Sequence, residues 1–301
     1  MENKRIKFLM FGLVVSSLFV GACGGTDDKG DDDEDTTSTV DPDTKNKIEH
    51  TQKIVYSVPA PTEMANILEN AGAKYNYKLL NDVKNVESYT STKSRGLNLG
   101  IYGADLNYAN IFENTQETMF YIQCTQKLAE ALGIENAISE NTVARAQDNV
   151  DNKDSMLNIV SEMFWEMHEY LQDNDKQDIT AFIITGGWVE GLYLATQTVD
   201  EAKPNKEIVQ KVGDLKLSLN HLISLLNSYD KDDVIDEIIA DMNKLKAVYD
   251  NLEMVKEKGT NTEKNGEVMI GGGPKITITP EQFKEIKTLA LELRTQYVTS
   301  N

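Results

Sequence analysis

Two acidic residues stand alone in long uncharged stretches and are the candidates for chemistry in this sequence. Asp105 is the only charged residue over 96–111, and Glu190 is the only one over 179–198. Such a carboxylate is expected to be buried, where it needs a partner or a ligand. Four aromatic residues lie close by in sequence: Tyr102, Tyr108, Trp188 and Tyr193. Together these side chains could line a pocket for a small ligand or a cation.

The alternative is a buried polar cluster, in which tyrosine hydroxyls, amides or one arginine satisfy the carboxylates. Beyond Arg5 the sequence has three arginines: Arg95, Arg145 and Arg294. Arg95 directly precedes the first uncharged stretch, so we expect it to pair with Glu190.

Small residues recur every four positions in both stretches: Gly96, Gly100 and Ala104, then Gly187, Gly191 and Ala195. Residues four apart share one face of a helix. Because glycine costs a helix about 1 kcal/mol relative to alanine, several glycines on one face predict a close approach of two helix backbones. We call these the two glycine-bearing helices. They align at an offset of 91 residues, which indicates either an old duplication of a helical unit, over 62–132 and 154–228, or a chance similarity.

The apolar spacing after residue 58 is helical and predicts an all-α bundle of about nine helices. Two short helices are expected before residue 72 and around 79–83. The longer ones cover about 90–109, 111–132, 140–150, 155–172, 179–198, 205–228, 232–257 and 280–298. Ser139, Asp178 and Thr279 are the expected N-caps, with Gln282 completing a capping box. Glu267–Ile270 and Lys275–Thr279 flank a glycine turn and predict a small β-hairpin before the last helix.

The sequence lacks the motifs of common catalytic and metal sites. Its three histidines, His50, His168 and His221, do not fall at metal-ligand spacings, and no Gly-x-Ser-x-Gly or phosphate loop is present. Cys124 lies in a helical pattern and is expected to be a small buried residue. We therefore predict a non-enzymatic protein without cofactor or metal.

Trp165 departs from the pattern of its helix. At 100° per residue it falls among Asn158, Glu162, Glu166 and Glu169, opposite the apolar stripe. Either a second element covers this face, or Trp165 is an exposed aromatic residue suited to carbohydrate stacking or a protein contact.

The N-terminus has the pattern of a secretory signal over residues 1–22. Lys4, Arg5 and Lys7 precede an apolar run too short to span a bilayer comfortably. Residues 20–22, Val-Gly-Ala, then lead into Cys23. This stretch resembles the lipobox of bacterial lipoproteins, which implies that Cys23 is acylated, for example with palmitate, and becomes the mature N-terminus. The alternative is an ordinary cleaved signal with an incidental cysteine.

Residues 23–57 are expected to form an acidic, disordered tether, followed by a helical domain over 58–301. The net charge of −19 becomes −21 without residues 1–22, and such a surface repels nucleic acid. The acidic run over 27–35 resembles the surface-export signal of Bacteroidota lipoproteins, which implies the extracellular face of the outer membrane. The alternative is a plain spacer and a periplasmic location.

From about Val58 to Gln197 the chain resembles an uncharacterised family of Bacteroidota lipoproteins, on the segments Leu97–Leu106 and Gly186–Glu190. This resemblance implies an outer-membrane lipoprotein and no particular activity. We expect a membrane-anchored, non-enzymatic binding or assembly module with a protein partner in the cell envelope. The alternative is a small-ligand or metal-binding receptor with its pocket between the glycine-bearing helices.

Overall fold

A computed structural model describes residues 67–229, 232–256, 261–264, 267–270 and 274–299. The predicted signal over 1–22 and the predicted tether over 23–57 lie outside the described residues.

The described part of the chain contains eight long helices: α1 Thr92–Ile111, α2 Thr115–Ala131, α3 Glu140–Asp148, α4 Lys153–Asp173, α5 Gln177–Gln197, α6 Lys206–Ser228, α7 Asp233–Asp250 and α8 Pro280–Thr299. Residues 67–70 are also helical. Short 3₁₀ helices cover Tyr77–Leu79, Val83–Ser88 and Glu135–Ala137. The all-α prediction is confirmed, although the helix expected around 79–83 consists of two 3₁₀ turns.

Two of the three predicted helix caps are present. The Ser139 hydroxyl accepts a hydrogen bond from the Thr142 N–H. Thr279 and Gln282 form the reciprocal capping box, at 3.0 and 3.2 Å. The Asp178 prediction is wrong, because α5 begins at Gln177, two residues earlier than predicted, and has no side-chain cap. In the first turn, the Asp178 carboxylate instead interacts favourably with the helix dipole.

Helices α1 and α5 form the centre of the bundle. Seventeen of the 20 residues of α1 and 17 of the 21 residues of α5 are buried. A helix that is buried on all sides needs apolar or small residues around its whole circumference, which explains the lack of charge. By length and composition α5 could cross a membrane, but 94% of its most apolar window is covered by protein. It is the core helix of the bundle.

The other helices surround this central pair. α2 and α4 pack on α1, while α4, α6 and α8 pack on α5. α7 packs on α6 and α8, and α3 packs on α4. The last helix therefore returns to the centre of the bundle, although 82 residues lie between the end of α5 and its first residue.

The strands lie between α7 and α8, but their pairing differs from the prediction. β1 (Glu253–Lys256) pairs antiparallel with β4 (Pro274–Thr277), and β2 (Asn261–Lys264) pairs with β3 (Glu267–Ile270). The two predicted strands thus belong to different pairs. Both β1, predicted as the end of a helix, and β2, predicted as loop, were missed. A tertiary contact contributes to this outcome: Ile276 and Ile278 pack against Gly213 of α6, which a local sequence pattern cannot reveal.

Candidate functional site

The site is built on a backbone-to-backbone contact between α1 and α5. A Cβ atom added to Gly100 would lie 2.0 Å from the Ile183 carbonyl oxygen and 2.7 Å from the Gly187 nitrogen. A Cβ atom added to Gly186 would lie 1.9 Å from the Leu97 carbonyl oxygen. The predicted close approach of the glycine-bearing helices is present. Gly186, one residue before the predicted stripe, provides one of its tightest contacts.

The contacts between the two helices show that they run parallel. Gly96 meets Phe182, and Gly100 meets Ile183 and Gly187, so residue numbers rise together along both helices. Further along in the same direction, Asp105 lies beside Glu190, and each carboxyl group affects the pKa of the other. The two isolated carboxyl groups predicted from the sequence are therefore brought together.

Asp105 is completely buried, and one of its oxygens is bound by the backbone of the segment before α1. Its Oδ2 accepts a hydrogen bond of 3.0 Å from the Asn81 N–H. Its Oδ1 has no hydrogen-bond partner among the described residues. The segment around Asn81 thus closes the cluster on one side.

Glu190 is also completely buried, and its charge partner is Arg294 of α8. Arg294 Nε donates to Glu190 Oε2 at 3.1 Å, while Glu190 Oε1 has no partner among the described residues. The predicted pairing with Arg95 is wrong. Arg95 lies in the first turn of α1, about 15 Å along the helix from Asp105. It donates instead to the backbone carbonyls of Tyr89 and Ala131.

Three groups hold the Arg294 guanidinium in place. Besides Glu190, it donates to the Leu79 carbonyl at 3.1 Å and stacks 4.9 Å from the ring centre of Tyr193. Its side chain is 13% exposed. Burial lowers the pKa of Arg294, but the charge of Glu190 and its hydrogen bond outweigh this effect and raise the pKa above its ordinary value.

The charges of the cluster balance only if one carboxyl group is protonated. Burial is the largest cause that raises the pKa of Asp105 well above its ordinary value, and the charge of Glu190 adds to it. Burial raises the pKa of Glu190 as well, but Arg294 opposes that shift. The proton therefore belongs on Asp105. A protonated Asp105 can donate to Glu190, which gives both unpartnered oxygens a hydrogen bond.

The aromatic residues predicted around the carboxyl groups are buried and mostly bonded elsewhere. The Tyr102 hydroxyl donates to the Asp82 carbonyl, and the Tyr108 hydroxyl donates to the Lys74 carbonyl. Trp188 Nε1 donates to the Ser218 hydroxyl. Of the four rings, only that of Tyr193 stacks on a charged group of the cluster, Arg294. The arrangement has the features of a buried polar cluster held by one arginine and one amide.

Sequence reasoning missed Arg294 and Asn81. Arg294 falls four residues after Ala290 and three before Tyr297, both buried positions of α8. An arginine within such an apolar stripe was the signal that could have identified it. Asn81 is buried and donates from Nδ2 to Tyr89 and Asn98. No sequence pattern marks this residue.

Trp165 and Cys124 were predicted apart from the cluster. Trp165 is half-buried, with its ring centre 5.6 Å from that of His168. The neighbouring residues of its acidic face contact α3, since Arg145 binds Glu162 and the Ser139 N–H binds Glu166. Cys124 is buried as predicted, and burial raises the pKa of its thiol to about 11.

The described residues contain no group of three or more histidine, cysteine or acidic side chains that could hold a metal ion. No protein-family model, curated protein or solved structure matches the chain. The interpretation of its function therefore rests on its residues and their geometry. Chemically, the cluster can hold one proton and one ion pair in an enclosed space.

Proposed function

We propose that this protein is a lipid-anchored, non-enzymatic binding or assembly module of the bacterial cell envelope. Cys23 would carry the acyl chains, and the acidic stretch that follows would let the helical domain reach a partner. Because a chain with one fatty acid binds membranes only marginally, the several chains of a lipoprotein-type modification suit a stable anchor. The outer face of the outer membrane is the proposed location.

One observation supports the non-enzymatic part of the proposal. The most concentrated set of ionisable groups in the described core, Asp105, Glu190 and Arg294, is enclosed by protein, and neither carboxyl group is exposed. A substrate cannot reach a carboxyl group that two helix backbones and an arginine enclose. These groups therefore serve the scaffold, and binding takes place on the surface of the domain. Because the cluster is enclosed by protein, it gives no support to a receptor pocket between the glycine-bearing helices.

The anchor is tested by metabolic labelling of cells with a palmitate analogue. The full chain should incorporate the label and fractionate with the outer membrane, and Cys23→Ser should do neither. Replacement of the acidic residues over 27–35 by their amides tests the export signal. We expect this variant to stay acylated but to become resistant to protease added to intact cells. Equal labelling of Cys23→Ser would refute the anchor.

The binding role is tested by crosslinking on intact cells. The acylated protein should yield a reproducible neighbour in the envelope, and Cys23→Ser should lose it, because the partner lies within reach of the tether. A chain that is acylated and surface-exposed but gives no reproducible neighbour would contradict the binding role and leave the anchor intact.

A further inference from the structure

A cavity of about 550 Å³ opens on the surface beside the β-strands. Its walls are the loop after α5, the first turns of α6, strand β4 and the first turn of α8. None of the residues that line it belongs to the carboxyl cluster. Its volume lies within the range of protein sites for small molecules, about 300–1,000 Å³.

Contacts within the protein join the elements that form the walls of the cavity. Gln210 Nε2 donates to the Ile276 carbonyl at 3.0 Å, which ties β4 to α6. Ile278 packs against Gly213, where an added Cβ atom would lie 3.0 Å from its Cδ1. Lys287 Nζ donates to the Val199 carbonyl at 3.2 Å and so ties the loop after α5 to α8. A cavity formed in advance costs little ordering on binding.

Aliphatic and aromatic side chains form the larger part of the inner surface of the cavity. Val199 and Phe283 are buried at its base, and Val209, Ile276 and Ile278 are partly buried along its sides. Partly buried aliphatic side chains still expose area that a ligand can cover, and removing this apolar area from water favours binding. The body of a ligand for this cavity is therefore apolar.

The rim carries two lysines and two acidic residues, whereas the chain as a whole has a net charge of −19. The exposed side chains of Lys206 and Lys284 line the cavity, and within the described residues neither forms an ion pair. Of the two acidic lining residues, Glu201 is 3.3 Å from Lys287, which leaves Glu281. Two lysines at the mouth of an apolar cavity suit a ligand with one anionic group.

We propose that this cavity binds an amphipathic anion, a small molecule with an apolar body and one carboxylate or sulfonate group. The apolar body would cover the aliphatic walls, and the anionic group would lie between Lys206 and Lys284. This inference adds a ligand class to the proposed function and rests on it only in taking the domain to be a binding module. It does not depend on the lipid anchor.

The proposal is tested with a matched pair of fluorescent probes. The first, 8-anilinonaphthalene-1-sulfonate, has fused rings and one sulfonate. The second, N-phenyl-1-naphthylamine, has the same rings without the charge. The protein is the chain from residue 23 onward with Cys23→Ser, which retains every described residue. We expect one saturable site for the anionic probe, with a Kd on the order of 10–100 μM, and binding of the neutral probe about tenfold weaker.

Paired substitutions assign the site. Lys206→Gln with Lys284→Gln should weaken the anionic probe about tenfold and leave the neutral probe unchanged. Lys78→Gln with Lys84→Gln removes the same charge from exposed lysines that do not line the cavity, and should change neither. Val209→Trp should fill the cavity and weaken both probes, with an unchanged melting temperature as evidence of folding.

Several results would overturn the proposal. These are non-saturable binding of the anionic probe, equal affinity for the two probes, or equal effects of the two lysine pairs. Failure of this test leaves the labelling and crosslinking results of the proposed function unaffected. Conversely, failure of the crosslinking leaves the titration unaffected, because the titration uses the purified chain.

Discussion

Asp105 and Glu190 lie side by side on two parallel helices, and each has one buried oxygen that no donor among the described residues reaches when both are ionised. A single proton shared by the two carboxyl groups would give these oxygens a hydrogen bond. It also leaves the cluster with one negative and one positive charge, the latter on Arg294. The two isolated carboxyl groups thus act as one unit. Asp105 carries the proton, and Glu190 is the anion that pairs with Arg294.

The amide variants of the two carboxyl groups should differ strongly in stability. In Asp105→Asn the amide keeps an oxygen for the Asn81 N–H and gains an N–H to donate to Glu190, as the protonated acid does. At pH 7 we therefore expect no loss in the free energy of unfolding, and a gain to the extent that the wild-type fold must take up a proton from solution that the amide does not need. Glu190→Gln leaves Arg294 buried without its charge partner and should cost about 3–5 kcal/mol.

Urea denaturation at pH 7 measures both variants, and circular dichroism checks that each is folded. The prediction is the difference between the two, with Glu190→Gln the more damaging. Equal losses would show that the carboxyl groups do not divide the roles of acid and base in this way.

The shared proton should also make stability depend on pH. Because the pKa of Asp105 is raised in the folded state, that state holds the proton when the unfolded chain has released it. The stabilisation is complete below the unfolded pKa of about 4 and is lost as pH rises through the folded pKa. The stability of Asp105→Asn minus that of wild type should therefore rise with pH within this window, by at most about 1.4 kcal/mol per pH unit.

Denaturation of wild type and Asp105→Asn at pH 4 to 9 gives this difference directly. Other titrating groups are common to both proteins and largely cancel. A difference that stays flat over the whole range would contradict a raised pKa at Asp105.

Much of this arrangement follows from local sequence patterns. Glycine lowers the stability of a helix, so a glycine at every fourth residue indicates a close neighbour whose contacts compensate for that loss. Gly100 contacts the backbone of α5 as expected. The absence of charge around Asp105 and Glu190 indicated burial, and both are buried. The capping box at Thr279 placed the start of α8 at the correct residue. Each of these inferences depends on interactions within one helix or on the environment of a single face.

What the sequence did not reveal depends on contacts between distant segments. Arg294 reaches Glu190 only because α8 packs on α5, and nearness in sequence wrongly favoured Arg95. β1 was taken for helix because its pairing with β4 is non-local. In both cases the residue types were informative, but the partner could be chosen only after the helices had been packed.

Because α1 and α5 approach each other closely, one methyl group added at Gly100 should lower the stability of the protein strongly. In Gly100→Ala the new Cβ would lie 2.0 Å from the Ile183 carbonyl oxygen, so the backbones must separate. We expect a loss of about 3 kcal/mol or more, despite the gain of about 1 kcal/mol in helix propensity. Gly213→Ala is the control, since the three atoms nearest to its Cβ belong to the side chains of Ile276 and Ile278, at 3.0–3.3 Å, and not to backbone.

Thermal unfolding of the two glycine variants tests this prediction. Gly213→Ala should change stability by no more than about 1 kcal/mol, because the higher helix propensity of alanine and the crowding of the new methyl group against the isoleucine side chains oppose each other. If Gly100→Ala were as stable as Gly213→Ala, the helices could not be in backbone contact.

His168 should make the protein less stable in mild acid. It is buried, and neither ring nitrogen has a hydrogen-bond partner among the described residues. Burial lowers its pKa below the ordinary value of about 6.5, which Glu169 only partly opposes. The neutral ring therefore stabilises the fold above pH 6.5, and this contribution is lost as pH falls through the folded pKa. His168→Phe should remove that part of the acid sensitivity.

Trp165 offers a direct measurement of this titration, because its ring centre is 5.6 Å from that of His168. A protonated imidazole quenches a neighbouring indole, so Trp165 fluorescence should fall as His168 gains its proton. Trp188→Phe removes the signal of the other tryptophan, and His168→Phe in the same background is the control. We expect a midpoint below pH 6.5 that disappears in the control. A midpoint at or above 6.5 would mean that water reaches the imidazole and that its burial does not oppose protonation.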